Sequence, residues 1–387
     1  MMLPVAVATA VGALLVLRCR ADPVTIGRTD DAVTLASAQF GPTVTLRGGV
    51  VMPTVGLGSS GGCHPDHDGT EASCSNYKAA MSWFHNGGRA VHDALSYCNQ
   101  AGLGAAVNNC GLPRSELFVM SMVPTYLMGY NLTIASVHAS LEQMNQTSLD
   151  LVMVHHRAPT AAFPRKVSPM KAFPNTPIVD GKASWGKPPC AIQDPSWVTC
   201  QDETWDALLK MKKQGLIRAI GVSNWEISTI QRMIDRGVEL PAVNQIEAHI
   251  GWHNDLLISF CAAHGIVVQA ATPLARGGKP GFNSNGTVIM GADPIITALA
   301  TKYKKSPAQI SLRFLIERGI AIIPSTTNPH YQKENLDIFD FKLNQTEVAA
   351  LGQINTPCRT CDNCYKCWGD PAALMCTFPN GTMIHCP

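Results

Sequence analysis

The chain has few charged residues, since Asp, Glu, Lys and Arg make up 15% of its 387 residues against 46% hydrophobic residues. A composition this apolar excludes a largely disordered protein. Basic residues are also not concentrated: no group is denser than Lys302, Lys304 and Lys305, and the formal net charge is only +2. Without a basic stripe to follow a phosphate backbone, the sequence predicts no nucleic-acid partner. It contains no internal repeat either.

No apolar run reaches the roughly 20 residues that cross a bilayer as a helix. The longest covers residues 3–17 and ends before Arg18 and the small-x-small triplet Cys19-Arg20-Ala21. This pattern predicts a signal peptide over residues 1–21, followed by a leader over residues 22–43. Because Arg18 and Arg20 are unusual so close to a cleavage site, an uncleaved signal anchor is the alternative, and no other membrane span is predicted.

Five Asn-x-Ser/Thr sequons lie downstream, at Asn131, Asn145, Asn285, Asn344 and Asn380. Sequons of this kind accept N-linked glycans in secreted proteins. Together with the signal sequence they predict a glycoprotein of the secretory pathway, either secreted or retained in the lumen of the endoplasmic reticulum or Golgi.

Fourteen cysteines are a high number for a cytosolic enzyme and fit an oxidising compartment. Three pairs bracket short segments and are candidate disulfides, although spacing does not establish connectivity: Cys63 with Cys74, Cys98 with Cys110 around a short helix, and Cys190 with Cys200. Cys261 lies on the apolar face of a helical pattern, which predicts a buried, inert thiol.

The last six cysteines fall within residues 355–387, and four of them follow one another in steps of three from Cys358 to Cys367. This spacing resembles iron-sulfur or zinc ligand runs. The signal sequence favours disulfides instead, so we predict a disulfide-rich tail and no metal site.

From about Val44 onward, short β-branched runs alternate with amphipathic stretches, which is typical of repeated βα units. The predicted strands are 55–57, 90–91, 117–120, 151–154, 217–222, 242–246, 266–270 and 321–323. The predicted helices include 77–85, 134–144, 205–213, 227–236, 255–264 and 307–317. Eight strands with intervening helices predict an α/β fold, a (β/α)8 TIM barrel over residues 44–354.

Three further segments complete this prediction. Residues 44–52, turning at Gly48-Gly49, predict an N-terminal β-hairpin that plugs the lower end of the barrel. Residues 157–203 and 276–291 are too long and polar for simple connections and predict functional loops.

Active sites of TIM barrels gather at the carboxyl ends of the strands, so the polar residues that follow each predicted strand are candidates. They are Ser59, His92, Asp93, Ser121, His155, Ser223, Asn224, Gln245, Glu247, Thr272, Ser325 and Thr326. Amides and hydroxyls in such a set are suited to holding a planar carboxamide, which predicts a cofactor site.

Several motifs carry a family resemblance. They include Arg89-x-Val91-x-x-Ala94-x-x-Tyr97-x-Asn99, Gly221-Val222-Ser223-Asn224, Asn244-Gln245-Ile246-Glu247, Pro273-Leu274-Ala275-Arg276 and Ile323-Pro324-Ser325-Thr326. Through them the chain resembles the aldo-keto reductase superfamily from about Val44 to Leu351. The resemblance implies hydride transfer between a nicotinamide cofactor, NADP(H) or NAD(H), and a small carbonyl substrate, either an aldehyde or a ketone.

The resemblance also implies roles for individual residues. Tyr97 is the general acid, and His155 orients the carbonyl. Ser223, Asn224 and Gln245 hold the nicotinamide carboxamide, while Glu334 and Asn335 contact the adenine. Further cofactor contacts are implied for Ser59, Thr272, Leu274, Ser325 and Thr326.

The sequence departs from the family at its catalytic core. The family lowers the pKa of the tyrosine with a lysine that is paired to an aspartate. Here Met122 stands in the lysine column and His92 in the aspartate column, with Asp93 one residue later, where a strand side chain points to the opposite face.

The cofactor site departs as well. Ala271 replaces the aromatic residue that stacks on the nicotinamide, and Ser325 and Tyr331 replace the cations that bind the adenosine 2′-phosphate. We therefore expect only a weak preference between NADPH and NADH.

Two interpretations follow. The chain is a working reductase in which His155 or a protonated His92 supplies the electropositive neighbour that Met122 cannot. Alternatively, it is a degenerate barrel that binds a nucleotide or carbonyl ligand without turnover. The joint presence of Tyr97, His155 and the carboxamide site favours the enzyme, because a pure scaffold has no need of them.

Overall fold

The computed structural model describes residues 41–59, 75–97, 99–159, 178–179, 182–183, 189–194, 196–275, 293–354, 375–377 and 383–385. The predicted signal sequence, Cys63, Cys98, the sequons at Asn285 and Asn380 and nearly all of the cysteine-rich tail lie outside these residues. Within the described ranges, no helix combines the length and the apolar character needed to cross a membrane.

Eight parallel strands form one sheet, and their register brings its two edges together. They are β3 (Gly56–Leu57), β4 (Ala90–His92), β5 (Phe118–Val123), β6 (Leu149–Val154), β9 (Ile217–Ser223), β10 (Val243–Glu247), β11 (Val267–Ala271) and β12 (Ala321–Ile322). The order is β12-β11-β10-β9-β6-β5-β4-β3. A parallel bridge between Val55 and Ile322 joins β12 back to the start of β3. The predicted (β/α)8 barrel is therefore confirmed, and each predicted strand overlaps an observed one.

Three antiparallel pairs accompany the barrel: β1 (Thr43–Thr45) with β2 (Val51–Pro53), β7 (Ile178–Val179) with β8 (Lys182–Ala183), and β13 (Met375–Thr377) with β14 (Met383–His385). The first is the predicted hairpin. Its residues Leu46, Val50 and Met52 are buried and belong to the same apolar cluster as strand residues of the barrel. The hairpin therefore contributes to the core that fills the barrel, as predicted.

The helices are α1 (Ser75–His85), α2 (Gln100–Asn109), α3 (Tyr130–Met144), α4 (Pro189–Gln193), α5 (Val198–Lys213), α6 (Ile227–Asp235), α7 (Asp255–Ala263), α8 (Pro294–Tyr303), α9 (Pro307–Glu317), α10 (Pro329–Leu336) and α11 (Gln345–Gly352). The six predicted helices are all present. The boundaries of α9 match the prediction because Ser306 and Gln309 form a capping box and Pro307 occupies the first turn.

The alternation along the strands separates two apolar layers. In β4, Ala90 belongs to the cluster inside the barrel, whereas Val91 belongs to the cluster between the sheet and the helices. Methionines fill much of the interior, and these are Met52, Met120, Met122 and Met153. The flexible thioether side chain of methionine fits irregular space of this kind.

A buried carboxylate aligns the strands that carry the candidate site. Asp150 of β6 is 1% exposed. It accepts a hydrogen bond from the Val119 N–H of β5 (2.8 Å) and forms ion pairs with Arg114 (2.7 Å) and Arg218 (2.6 Å). Because Arg218 lies in β9, this single side chain ties together β5, β6 and β9, and so positions Met122 relative to His155.

The described cysteines decide part of the disulfide prediction. Cys190 and Cys200 are bonded, with a Cα–Cα distance of 5.1 Å, and connect α4 to α5 at the end of the long loop after β6. Cys110 is a free thiol, so its suggested pairing with Cys98 is wrong. Cys261 is fully buried, and burial raises the pKa of its thiol to about 11, which confirms the predicted inert thiol.

Candidate active site

Tyr97 and His155, the two tetrad residues that the sequence retains, lie together. Tyr97 ends a 3₁₀ turn, Leu95–Tyr97, that follows β4, and its hydroxyl lies 3.4 Å from Nε2 of His155. His155 follows β6, where its N–H donates to the Val123 carbonyl (3.1 Å). The two rings meet edge to face, with centroids 5.5 Å apart. The structure thus places a phenol and an imidazole within hydrogen-bond reach at the carboxyl ends of β4 and β6, the two strands that flank β5.

His155 is neutral at physiological pH. Burial, together with the neighbouring His156 and His92, lowers the pKa of His155 to about 3. The ring of His156 stacks on that of His155, with centroids 5.0 Å apart and 6° between the planes. Burial also lowers the pKa of His156 to about 4. A neutral imidazole carries only one N–H, so His155 donates through one ring nitrogen and accepts through the other.

His92 and Met122 occupy the places that the resemblance assigns to the aspartate and the lysine. Both are 2% exposed. Burial lowers the pKa of His92 to about 4, and neither of its ring nitrogens has a hydrogen-bond partner. Met122 belongs to the interior cluster against which Tyr97 packs. The structure therefore gives no support to a protonated His92 at neutral pH.

Asp93 has hydrogen-bond partners, whereas the ring of His92 has none. Its Oδ1 accepts hydrogen bonds from the hydroxyl of Ser59 (3.0 Å) and the N–H of Ala94 (2.7 Å), and the Asn76 side chain lies beside the same carboxyl. Burial raises the pKa of the fully buried Asp93 to about 7, and the hydrogen bonds from Ala94 and Ser59 oppose that rise. Asp93 is therefore a structural neighbour of Ser59 and does not replace the missing aspartate.

This carboxyl should make stability depend on pH. The folded state keeps the Asp93 proton up to about pH 7, whereas the unfolded chain releases it near the ordinary aspartate pKa of about 3.8. The contribution of Asp93 to stability is therefore complete below about pH 4 and is lost as the pH rises to about 7. We expect the melting temperature of Asp93→Asn, relative to that of the wild type, to rise progressively between pH 4 and 7. Thermal melts with the exposed Asp206→Asn as control test this, and a constant difference across that range would contradict it.

The predicted carboxamide site is built from amides at the ends of adjoining strands. Asn224 adopts a left-handed conformation (φ 59°), and its Nδ2 donates to the His155 carbonyl (3.2 Å) and to Ser223 Oγ (3.0 Å). The Asn224 N–H donates to the Gln245 carbonyl (2.9 Å), and Gln245 Nε2 donates to Gln269 Oε1 (2.8 Å). These contacts connect the ends of β6, β9, β10 and β11, so the predicted residues Ser223, Asn224 and Gln245 do come together.

Thr272 follows β11 and carries an unsatisfied group. Its backbone is also left-handed (φ 49°), and its buried Oγ1 has no partner. A buried hydroxyl without a partner costs free energy unless a ligand satisfies it. Leu274 and Ala271, which are close to Thr272 in sequence, are both partly buried. Ala271 has no ring that could stack on a nicotinamide.

Ser59, Ser325 and Thr326 line one small pocket of about 20 Å³, beside the carboxyl ends of β3 and β12. His92 and Asn76 of α1 also contribute to its wall. Glu334 and Asn335 lie on α10, outside that lining, and Asn335 is buried. The buried Gln332 attaches α10 to α1 by donating to the Ala79 carbonyl (2.9 Å). The predicted adenosine contacts therefore fall on one fixed element next to this pocket.

Two features differ from the sequence-based prediction. Ser121 does not face the site, because it bonds Gln100 of α2 (2.7 Å) and Ser140 of α3 (3.2 Å). Ser96, which was not predicted, lies with its hydroxyl 3.4 Å from Nδ1 of His155. Its position directly before Tyr97, in the turn after β4, is the signal that could have identified it.

Comparisons with known proteins identify relatives of this chain. The model of the Aldo/keto reductase family matches residues 61–356. Glyoxal reductase of Bacillus subtilis (strain 168) is 31% identical over 313 residues, covering 81% of this chain and 92% of the relative. Aldo-keto reductase AKR2E4 of Bombyx mori, crystallised in complex with NADP, superposes with a TM-score of 0.64 at 28% identity, over 82% of this chain and 94% of that one.

A second solved structure, aldo-keto reductase AKR2E5 complexed with NADPH, has a TM-score of 0.65 at 27% identity and covers 81% of this chain and 88% of that one. The matched family region contains the barrel strands from β4 to β12 and both Tyr97 and His155. The chain belongs to the aldo/keto reductase family.

Proposed function

We propose that the protein reduces an aldehyde or ketone to an alcohol with a nicotinamide dinucleotide, using Tyr97 as the general acid. The observation that carries this proposal is the contact between the Tyr97 hydroxyl and the neutral His155, beside the Ser223 hydroxyl and the side-chain amides of Asn224 and Gln245. An acid, a neutral hydrogen-bonding group and a carboxamide site are the parts that carbonyl reduction needs.

The described residues fit the cofactor. The unsatisfied Thr272 hydroxyl and the left-handed Asn224 present polar groups at the barrel mouth, where a dinucleotide would satisfy them. Two solved relatives contain NADP or NADPH, which supports the same cofactor class here. When bound, the nicotinamide ring supplies the hydride.

The residues of this chain then handle the proton. As the carbonyl carbon accepts the hydride pair, its oxygen gains negative charge and takes the proton from the Tyr97 hydroxyl. His155, neutral and partly buried, hydrogen-bonds the Tyr97 hydroxyl and so orients that hydroxyl toward the carbonyl oxygen. A phenol with a pKa of about 10 is a weak acid at neutral pH, and Met122 supplies no charge to strengthen it. We therefore propose slow turnover, reduced on the order of 100-fold by loss of the lysine.

Small dicarbonyls are the first substrates to test, because the curated relative at 31% identity is a glyoxal reductase. The experiment follows NADPH and NADH absorbance with glyoxal and with an aromatic aldehyde, using the full, oxidised protein. Oxidation of the cofactor in proportion to added carbonyl would support the proposal. Saturable binding of the cofactor without any oxidation would contradict it.

That second outcome describes the other candidate function, a barrel that binds a nucleotide or carbonyl ligand without turnover. Met122 favours it, because the family's charged neighbour of the tyrosine is replaced by an uncharged, buried side chain. Fluorescence titration with each dinucleotide, followed by the turnover assay, separates the two candidates.

We further propose that the chain enters the secretory pathway. The sequons at Asn131, Asn145 and Asn344 are exposed on the surface, at the start of α3, at its end and at the N-cap of α11. A glycan on Nδ2 of Asn344 leaves Oδ1 available for its capping bond from the Glu347 N–H (2.9 Å).

Protein made in a eukaryotic cell should lose mass on endoglycosidase treatment, because exposed sequons accept glycans in the lumen. Replacing the three exposed asparagines by glutamine should remove most of that change. A cytosolic product with unchanged mass would contradict the secretory assignment.

A further inference from the structure

The imidazole of His155 lies between two hydroxyl groups from one turn. Nδ1 is 3.4 Å from the hydroxyl of Ser96, and Nε2 is 3.4 Å from the hydroxyl of Tyr97. Ser96 and Tyr97 are consecutive residues of the 3₁₀ turn Leu95–Tyr97. Each hydroxyl can donate one hydrogen bond and also accept, so the imidazole links the two in a chain.

The orientation of the imidazole is restricted on several sides. The backbone N–H of His155 donates to Val123, its carbonyl accepts from Asn224, and its ring stacks on His156. The ring nitrogens are therefore held toward Ser96 and Tyr97. Because the partly buried ring is neutral, it has one N–H, and the chain of hydrogen bonds can run in only two directions.

The two directions have different chemical consequences. If Ser96 donates to Nδ1, then Nε2–H donates to the Tyr97 oxygen, and the Tyr97 proton points to the substrate. If Nδ1–H donates to Ser96 instead, Tyr97 gives its proton to Nε2, and that proton is turned away from the carbonyl. Only the first direction leaves Tyr97 able to act as the acid.

We propose that Ser96 is a positioning residue that holds His155 in the Nε2–H tautomer, with Ser96 as donor to Nδ1 and the Tyr97 oxygen as acceptor from Nε2–H. This inference rests on the proposed function of Tyr97. In this tautomer the Nε2–H group has a second role. Its hydrogen bond to the Tyr97 oxygen persists after Tyr97 has given up its proton, and so stabilises the phenolate. With Met122 in the lysine column, that hydrogen bond is the neighbouring contact that offsets the new charge.

The tautomer can be measured without catalysis. The full chain is labelled with ¹⁵N-histidine, and two-bond ¹H–¹⁵N correlations report which ring nitrogen carries the proton, with the His155 signals assigned by their loss in His155→Asn. We expect the wild type to show Nε2–H. Ser96→Ala should convert His155 to the other tautomer or to a mixture, and Ser96→Thr, which keeps the hydroxyl, should restore Nε2–H.

Signals from the histidines far from the site, such as His264, report whether each variant is folded. An Nδ1–H tautomer in the wild type, or an unchanged tautomer in folded Ser96→Ala, would overturn the proposal. Turnover gives a separate comparison: Ser96→Ala should lower kcat at least fivefold with little change in KM, and Ser96→Thr should recover it. If the wild type shows no turnover, the proposed function fails, while the tautomer measurement still decides the role of Ser96.

Discussion

Replacing Met122 by lysine and His92 by aspartate together should raise the steady-state rate of aldehyde reduction at least tenfold. The two side chains are almost fully buried and occupy the places of the family's ion pair. The lysine would lower the pKa of the Tyr97 phenol, and the carboxylate would keep the lysine charged. Removing His92 breaks no hydrogen bond, because both of its ring nitrogens lack partners.

The single substitutions should not give this gain. Met122→Lys alone places an ammonium group in an apolar interior, where it sheds its proton, and His92→Asp alone buries a carboxylate without a cation. Met122→Leu, which keeps the volume without the charge, is the matched control. Adding Tyr97→Phe to the double variant should return the rate to background. A folded double variant that binds the cofactor but shows no gain would mean that the loss of the lysine does not limit this site.

Adding positive charge near the predicted adenosine site should change the relative affinity of the protein for NADPH and NADH. We expect the wild type to bind NADPH and NADH with similar affinity, because Ser325 and Tyr331 carry no positive charge for the 2′-phosphate. A hydrogen bond to a charged group contributes about 1.5–3 kcal/mol, which corresponds to roughly ten- to hundredfold in affinity. The double variant Ser325→Lys with Tyr331→Arg should therefore prefer NADPH at least tenfold.

The structure accommodates these longer side chains. Ser325 and Tyr331 are exposed, and Tyr331 retains 53% of its surface on α10. Gln332 fixes α10 against α1, so the new cations would be held beside the pocket lined by Ser59 and Ser325. The ratio of the two dissociation constants, measured by fluorescence titration, gives the result. A strong NADPH preference in the wild type would contradict the expected similar affinities. Lys333→Ala would then show whether Lys333 binds the 2′-phosphate instead.

The sequence predicted the barrel well because its signals are local. Short β-branched runs and capping residues such as Ser306 define strands and helices without knowledge of tertiary contacts. The offset between His92 and Asp93 was also predictable, since adjacent residues of a strand point to opposite faces. The structure places Asp93 against Ser59, and it places His92 where it lowers the pKa of His155.

The protonation states could not be predicted, because they depend on burial by distant parts of the chain. The sequence allowed a charged His92, whereas its environment inside the barrel lowers its pKa to about 4. The direction of the Ser121 side chain likewise depends on tertiary contacts. Ser121 faces Gln100 and Ser140 in the helix layer instead of the site. The contact between Ser96 and His155 joins residues 59 positions apart and is visible only in the folded chain.

A single-turnover experiment decides whether this barrel transfers hydride with Tyr97 as the acid. Full-length protein in excess over NADPH deuterated at C4 of the nicotinamide is mixed with an aldehyde, and the alcohol is analysed by mass spectrometry. We expect the wild type to form alcohol slowly, with deuterium on the carbinol carbon. Tyr130→Phe, which changes a control tyrosine on α3, should behave like the wild type. Tyr97→Phe should form no labelled alcohol above background. Bound NADPH that stays reduced in the wild type, or labelled alcohol formed equally fast by Tyr97→Phe, would contradict it.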